Sequence, residues 1–310
     1  MRKLRIPFLF IHRLALKFGI QLVPDHYYSS LSNMNKLRGS KAIWAKKSQL
    51  PGVAYDLEEQ VKTLHVISSS FKKEYAGNYV FLEGQRRHFG LGFGYIDAQA
   101  LHCIIRHYKP KRIVEVGSGV STYCSVKALE LNRKETKQQS SMTCIEPYPS
   151  EMLRCLQGVQ IIPQEVQTVP MQVFLNLEAG DLLFIDSSHT VKPGSDVNYL
   201  ILEVLPRLKP GVIVHFHDIF LPFDYQRDLL TNYFQRCETS LLRAYLIDNH
   251  KTKILFCLSG LHYDRKAALK EVFPEYKPQK DLNGLTDGFY PPFHDEGQEH
   301  FPSSIYLQIT

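Results

Sequence analysis

Four short clusters of acidic and imidazole side chains sit where apolar runs end in this 310-residue chain: Glu115-Val-Gly-Ser-Gly119, Glu146-Pro-Tyr148, Asp186-Ser-Ser-His189 and His215-Phe-His217-Asp218. Ligands of open parallel sheets lie outside the carboxyl ends of the strands, so such clusters fall where a site is expected. The first is the most informative. The run Ile113 to Val116 breaks at Gly117-Ser118-Gly119, and a helix-like segment opens at Ser121-Thr122. That is a buried strand, a tight turn and a capped helix in order. The glycines let a ligand approach bare backbone, and the helix start offers unpaired N–H groups. Glu115 would repel a pyrophosphate but suits an ammonium group. The loop therefore reads as a nucleoside site without phosphates, for which S-adenosylmethionine is the candidate. A dinucleotide fingerprint needs Gly-x-Gly-x-x-Gly, and its third glycine position is Thr122 here.

Glu146 ends the next strand, where a carboxylate can accept both hydroxyl hydrogens of a ribose. Asp186 follows the wholly apolar Leu182-Leu-Phe-Ile185. It reads as a metal ligand, a general base or a helix cap. His215 and His217 share one strand face, with Asp218 beyond them. Two neighbouring strand ends carrying Asp and His-Asp can hold a divalent cation, Mg2+ or another, through Asp186, His217 and Asp218. The plainer alternative is that they bond loop backbone. His189 is a second candidate base, or it orients Asp186.

These residues need a scaffold. From Arg112 the pattern alternates regularly. Strands are expected at 112–116, 142–145, 159–163, 181–186, 211–217 and 253–258, with helices at about 121–131, 150–156, 169–177 and 197–208. This alternation implies a mostly parallel sheet covered on both faces. The run Ser304 to Ile309 is strand-like and is expected to pair antiparallel beside the Lys253 strand, giving seven strands. Ile96 to Tyr108 reads as a helix ended by Pro110, and Phe89 to Tyr95, with alternating glycines, as a hinge or lid. Residues 1–88 lack strand-helix alternation. They contain a helix at 57–71 and the aromatic turn Pro24 to Tyr28, and they read as a cap over a main domain at 89–310.

Hydrophobic residues make up 44% of the chain, enough for a sizeable core, and the net charge is +6. No basic stripe interleaves with aromatics, so nucleic acid is not an expected partner. Six cysteines without a Cys-x-x-Cys pair fit buried free thiols in a reducing, cytoplasmic setting. The N-terminal apolar run is too short for a signal peptide. Arg13 and Lys17 fall inside the longer stretch Ile6 to Val23 and would each cost ~2.5–3.5 kcal/mol in a bilayer core, against ~0.3–0.6 returned per large apolar residue. No integral membrane insertion is expected. An amphipathic helix packed on protein is the first reading, and peripheral membrane contact the second.

In order along the chain, Ile96-Asp97-Ala98, Glu115 to Thr122, Ile145-Glu146-Pro147, Phe184 to His189 and His217-Asp218-Ile219-Phe-Leu-Pro222 resemble the class I S-adenosylmethionine-dependent methyltransferases, and within them the type-24 methyltransferase domain family. The resemblance covers about residues 89–310. It implies a Rossmann-like, doubly wound α/β fold. It places the cofactor among Glu115, Gly117, Ser118, Gly119, Ser121, Thr122, Glu146, Pro147, Asp186 and Ser187. It also suggests analogy with metal-dependent O-methyltransferases, although His217 stands where those enzymes often carry an acid. The expected activity is methylation of a hydroxyl on a small molecule or glycan, with His217, His189 and Asp186 as the catalytic residues. Two rivals share the fold class: an NAD(P)-dependent oxidoreductase, and a non-catalytic S-adenosylmethionine-binding protein.

Overall fold

Arg112–Val116 (β1), Ser141–Ile145 (β2), Val159–Ile162 (β3), Leu182–Ile185 (β4), Ile213–Phe216 (β5), Thr252–Cys257 (β6) and Ile305–Ile309 (β7) are the strands of the computed structural model, which describes residues 5–29, 31–232, 234–281, 283–286 and 299–310. They form one sheet in the order β3-β2-β1-β4-β5-β7-β6. The first five are parallel, and β7 runs antiparallel to both β5 and β6. The expected seven-stranded, mostly parallel sheet is thus present. Local pattern does not say that β7 slots between β5 and β6; that pairing joins segments far apart in the chain.

Side chains alternate across the sheet, as a pleated strand requires. Ile113, Met142, Cys144, Leu182, Phe184 and Ile213 pack in one layer with Leu64, Ile67, Phe81, Leu101 and Tyr123. Val114, Val116, Ile145, Leu183, Ile185 and Val214 pack in the other with Val197, Leu200, Ile201 and Val204. Both faces are covered, which explains why β4 reads as an unbroken apolar run. The order reverses beside β1: the chain moves outward to β2 and β3, then returns to β4 on the other side. Loops diverge at such a switch point and leave a crevice at the strands' carboxyl ends.

Two compact units divide between Ala45 and Lys46. The boundary expected at residue 88 runs through the larger unit. Its helix Leu57–Ser68 packs on β6 and on the helix Tyr95–Tyr108, and Tyr79–Arg86 packs on Val120–Thr136. Leu64, Ile67 and Phe81 are as buried as the strand residues, so this part belongs to the sheet's own core. A further helix, Glu238–Leu246, precedes β6 and has no counterpart in the pattern reading. The smaller unit holds the helices Arg5–Leu16, Met34–Gly39 and Lys41–Trp44, the second capped by Asn33. Within it Tyr27 and Tyr28 are exposed. No helix among the described residues is long and apolar enough to cross a membrane.

Candidate active site

The β1 end is tied to its neighbours by backbone. Gly117 N–H donates to the Ile145 carbonyl of β2 (3.0 Å), and Asp186 N–H donates to the Val116 carbonyl (2.9 Å). Gly117 has φ 78°, and a Cβ there would lie 1.9 Å from the Asp186 carbonyl oxygen. Only glycine allows both the left-handed turn and this approach. Beneath the turn, Glu115 is wholly buried. Its oxygens accept from Ser121 Oγ (2.7 Å), Thr122 Oγ1 (2.5 Å) and Cys144 Sγ (3.3 Å). Burial pushes its carboxyl up to about 7, with the Thr122, Ser121 and Cys144 hydrogen bonds pulling the other way. Glu115, Ser121 and Thr122 therefore brace the turn from inside. The expectation that Glu115 meets a ligand's ammonium does not fit, because the chain takes up its oxygens.

The residues that do open to the crevice are Gly117, Ser118, Gly119, Glu146, Pro147, Asp186 and Ser187, each partly exposed while the strands below are buried. Glu146 Oε2 accepts from Ser118 N–H (3.2 Å) and Oε1 from Tyr148 N–H (2.8 Å). A carboxylate offers about four lone-pair directions, so two remain for a vicinal diol. Tyr148 stands beside it, 85% exposed. Small turn residues, bare backbone and a diol-accepting carboxylate are the groups a nucleoside bearing an amino acid requires.

The second group forms where β4 and β5 end. Asp186 Oδ1 lies 3.3 Å from both His189 Nε2 and His217 Nδ1. His189 Nδ1 bonds Glu238 Oε2 at 2.7 Å, and Arg236 pairs with Asp218. Ser303 Oγ joins His217 Nε2 (3.3 Å) and Asp218 Oδ1 (3.2 Å). Asp97, at the start of the helix Tyr95–Tyr108, accepts the N–H groups of Ser303 and Ser304 at 3.0 and 2.8 Å. His189 and Asp218 both hold left-handed backbone, φ 57° and 58°. Such conformations cost about 1–3 kcal/mol in a non-glycine residue and concentrate at functional sites.

The charges are strongly coupled. Burial opposes a charged His217 ring, but Asp186 and Asp218 outweigh it and hold the ring up to about 9. Burial likewise opposes a charged His189, and hydrogen bonds to Asp186 and Glu238 raise it well above the usual histidine range. For Asp186 burial favours the neutral acid, but the two histidines prevail and hold it well below the usual carboxylate range. Asp218 is lowered against its burial by His217, His189 and Arg236. Glu238 goes the other way, because burial exceeds the pull of His189. His215 has no part in this. It stacks between Phe184 and Tyr306, and burial pushes it well below the usual range.

This donor set does not fit a divalent ion. Metals take neutral imidazoles and free carboxylate oxygens. Here the nitrogens of both rings already face protein partners (His189 on Asp186 and Glu238, His217 on Asp186 and Ser303), and the Arg236 guanidinium occupies Asp218. Among the described residues no group of three or more His, Cys, Asp or Glu side chains is placed to hold an ion. The expected bridge of Asp186, His217 and Asp218 by Mg2+ is therefore unsupported. Asp186, His189, His217 and Asp218 do come together, as their strand-end positions implied. Glu238, Arg236 and Ser303 were missed, because they come from segments that the pattern leaves unassigned to the sheet's strand ends. Asp97 had one signal, its place in the Ile96-Asp97-Ala98 motif.

Residues 114–219 match the model of a methyltransferase domain family. An uncharacterised protein of Archaeoglobus fulgidus is 32% identical over 170 residues, which span 50% of this chain and 73% of its own. A solved chain from Thermobifida fusca, described provisionally as a methyltransferase, is 7% identical with a TM-score of 0.33, covering 87% of this chain and 97% of its own. At that score the fold is better read from the sheet order itself. The span matched to the family begins inside β1 and ends just past β5. It thus includes each strand end that opens on the crevice, and the chain belongs to this S-adenosylmethionine-dependent methyltransferase family.

Proposed function

We propose that the protein methylates a hydroxyl oxygen of a small molecule or glycan, with the acceptor bound against Asp186. The observation that carries this reading is a carboxylate, 19% exposed at the strand ends, with the buried rings of His189 and His217 each 3.3 Å from its Oδ1. S-adenosylmethionine, when bound, supplies an electrophilic methyl group on a sulfonium. Gly117, Ser118 and Gly119 would let it lie close against the turn, and the free lone pairs of Glu146 would accept from its ribose hydroxyls. Asp186 accepts a hydrogen bond from the acceptor hydroxyl and orients its lone pair. When the acceptor oxygen takes that methyl group, its hydroxyl proton would pass to Asp186. Even a weakly basic carboxylate suffices, because an alkylated hydroxyl is strongly acidic. His217 and His189 are positioning residues that keep Asp186 ionised, and Glu238 holds His189. The proton-accepting role moves to Asp186 because both rings are almost fully buried and their nitrogens face Asp186, Glu238 and Ser303. No metal enters this scheme. Six free cysteines, four of them buried, support a reducing, cytoplasmic setting.

The test is methyl transfer from labelled S-adenosylmethionine to panels of phenolic, sugar and amine acceptors. Asp186→Asn should lose roughly 10²–10⁴-fold in turnover with cofactor affinity kept. Label found only on amine acceptors would overturn the oxygen assignment. Cofactor binding without transfer to any acceptor would favour the non-catalytic reading. Membership of a methyltransferase family leaves the nicotinamide-dependent alternative without support.

A further inference from the structure

We propose that the smaller unit docks on the surface of an anionic lipid bilayer. The first observation is where the charge lies. Met1–Ala45 carries eight lysines and arginines against one acid, Asp25, a net +7. The whole chain is +6, so Lys46–Thr310 nets −1. The excess of positive charge therefore belongs to this unit alone. The second observation is apolar exposure in the same segment. Phe10 is 70% exposed, Phe18 75% and Ile20 54%, and Leu9, Ile11 and Leu14 are each more than two-fifths exposed. Large apolar side chains gathered this densely on a surface mark an interaction site.

Local geometry combines the two. In the helix Arg5–Leu16, residues three and four apart share a side, so Phe10, Ile11 and Leu14 lie together. Arg13 and Lys17, four apart, lie on the adjoining flank, and both are exposed. The chain then turns at Gly19 (φ 70°), where Ile20 N–H donates to the Ala15 carbonyl at 3.0 Å. His12 Nδ1 meets the Leu22 carbonyl at 2.6 Å, which brings the following apolar stretch back beside the helix. An apolar face bordered by cations on long stems suits a headgroup boundary. The rings and aliphatic chains sink below the phosphates, and Arg and Lys stay level with them. The 12-residue helix is about 18 Å long, too short for a hydrocarbon core of about 30 Å, so the contact lies on the surface and does not span. A second copy is a poor occupant, since it would bring +7 against +7. These side chains are exposed within the smaller unit, which the sequence does not reveal, and the cations beside them favour a lipid surface.

The full chain is sedimented with vesicles of phosphatidylcholine, with and without phosphatidylserine. It should pellet with the mixed vesicles only and be released by high salt. Each cation near an anionic surface contributes about fivefold in partitioning, so Arg13→Gln with Lys17→Gln should weaken binding on the order of 25-fold. Phe10→Asn with Phe18→Asn should weaken it at least about tenfold. All four positions are exposed, and circular dichroism confirms that the variants fold. No sedimentation with either vesicle overturns the proposal. So does equal sedimentation with both that ignores the charge variant. A dimer in light scattering that the phenylalanine variant dissociates, without vesicle binding, reassigns the patch to a second copy.

Discussion

Replacing Glu146 with alanine tests the cofactor site without any acceptor. Its carboxylate holds Ser118 N–H at 3.2 Å and Tyr148 N–H at 2.8 Å, with lone pairs left for the ribose diol. Hydrogen bonds to a charged group contribute about 1.5–3 kcal/mol, so Glu146→Ala should weaken S-adenosylmethionine roughly ten- to a hundredfold by calorimetry. Part of that loss would come from a loosened Ser118 loop and not from the ribose. Two comparisons separate them. Glu146→Gln keeps the length but offers one acceptor oxygen, so it can satisfy only one of the two N–H groups and should fall between wild type and alanine. For an analogue lacking the 2′ and 3′ hydroxyls, Glu146→Ala should cost only the part owed to the loosened loop, because the double-mutant cycle removes the shared ribose contact. S-adenosylhomocysteine, which keeps the ribose, should show the full loss. Undiminished affinity in a folded Glu146→Ala would refute the assignment, as would an equal loss for the dehydroxylated analogue.

Further expectations follow from the charged network and the turn. The His217 ring should titrate near 9 by NMR, and Asp186→Asn should lower that value; a ring titrating near 6.5 in the native protein would remove the coupling. Because the folded value is raised, the stabilisation is complete below about pH 6.5 and is lost as pH climbs through about 9, on the order of 3 kcal/mol by linkage, readable as a falling midpoint in urea over that window. Methyl transfer should survive a chelator unchanged; a loss restored by added Mg2+ would reinstate a metal at Asp186 and Asp218. Gly117→Ala should destabilise the protein far more than Gly158→Ala in thermal unfolding. Both glycines have positive φ, but only at Gly117 does the added Cβ meet backbone, while at Gly158 it meets open space. Similar losses at the two sites would contradict the packing drawn for the turn.

Residue order alone determined the strands, the glycine turn and the strand-end acids. Each is a local signal: an apolar run of four or five residues, a break that needs positive φ, and a polar residue where burial stops. The motifs from Glu115 to Asp218 were legible for the same reason. Tertiary structure decided what those side chains do. Nothing near Glu115 in the chain shows that Cys144, 29 residues on, completes its hydrogen-bond set and turns a supposed ligand contact into an internal brace. Nothing near His189 announces Glu238, 49 residues on, which with Asp186 raises the ring's pKa. The insertion of β7 between β5 and β6 carries Ser303 to His217 and Asp218, and no periodicity specifies that pairing. The same distinction holds at the N-terminus, where apolar spacing is compatible with a core or a surface and only solvent exposure separates them. Periodicity records which residues prefer to leave water; protonation states and partners depend on which distant charges burial brings within a few ångströms, and that is a property of the folded chain.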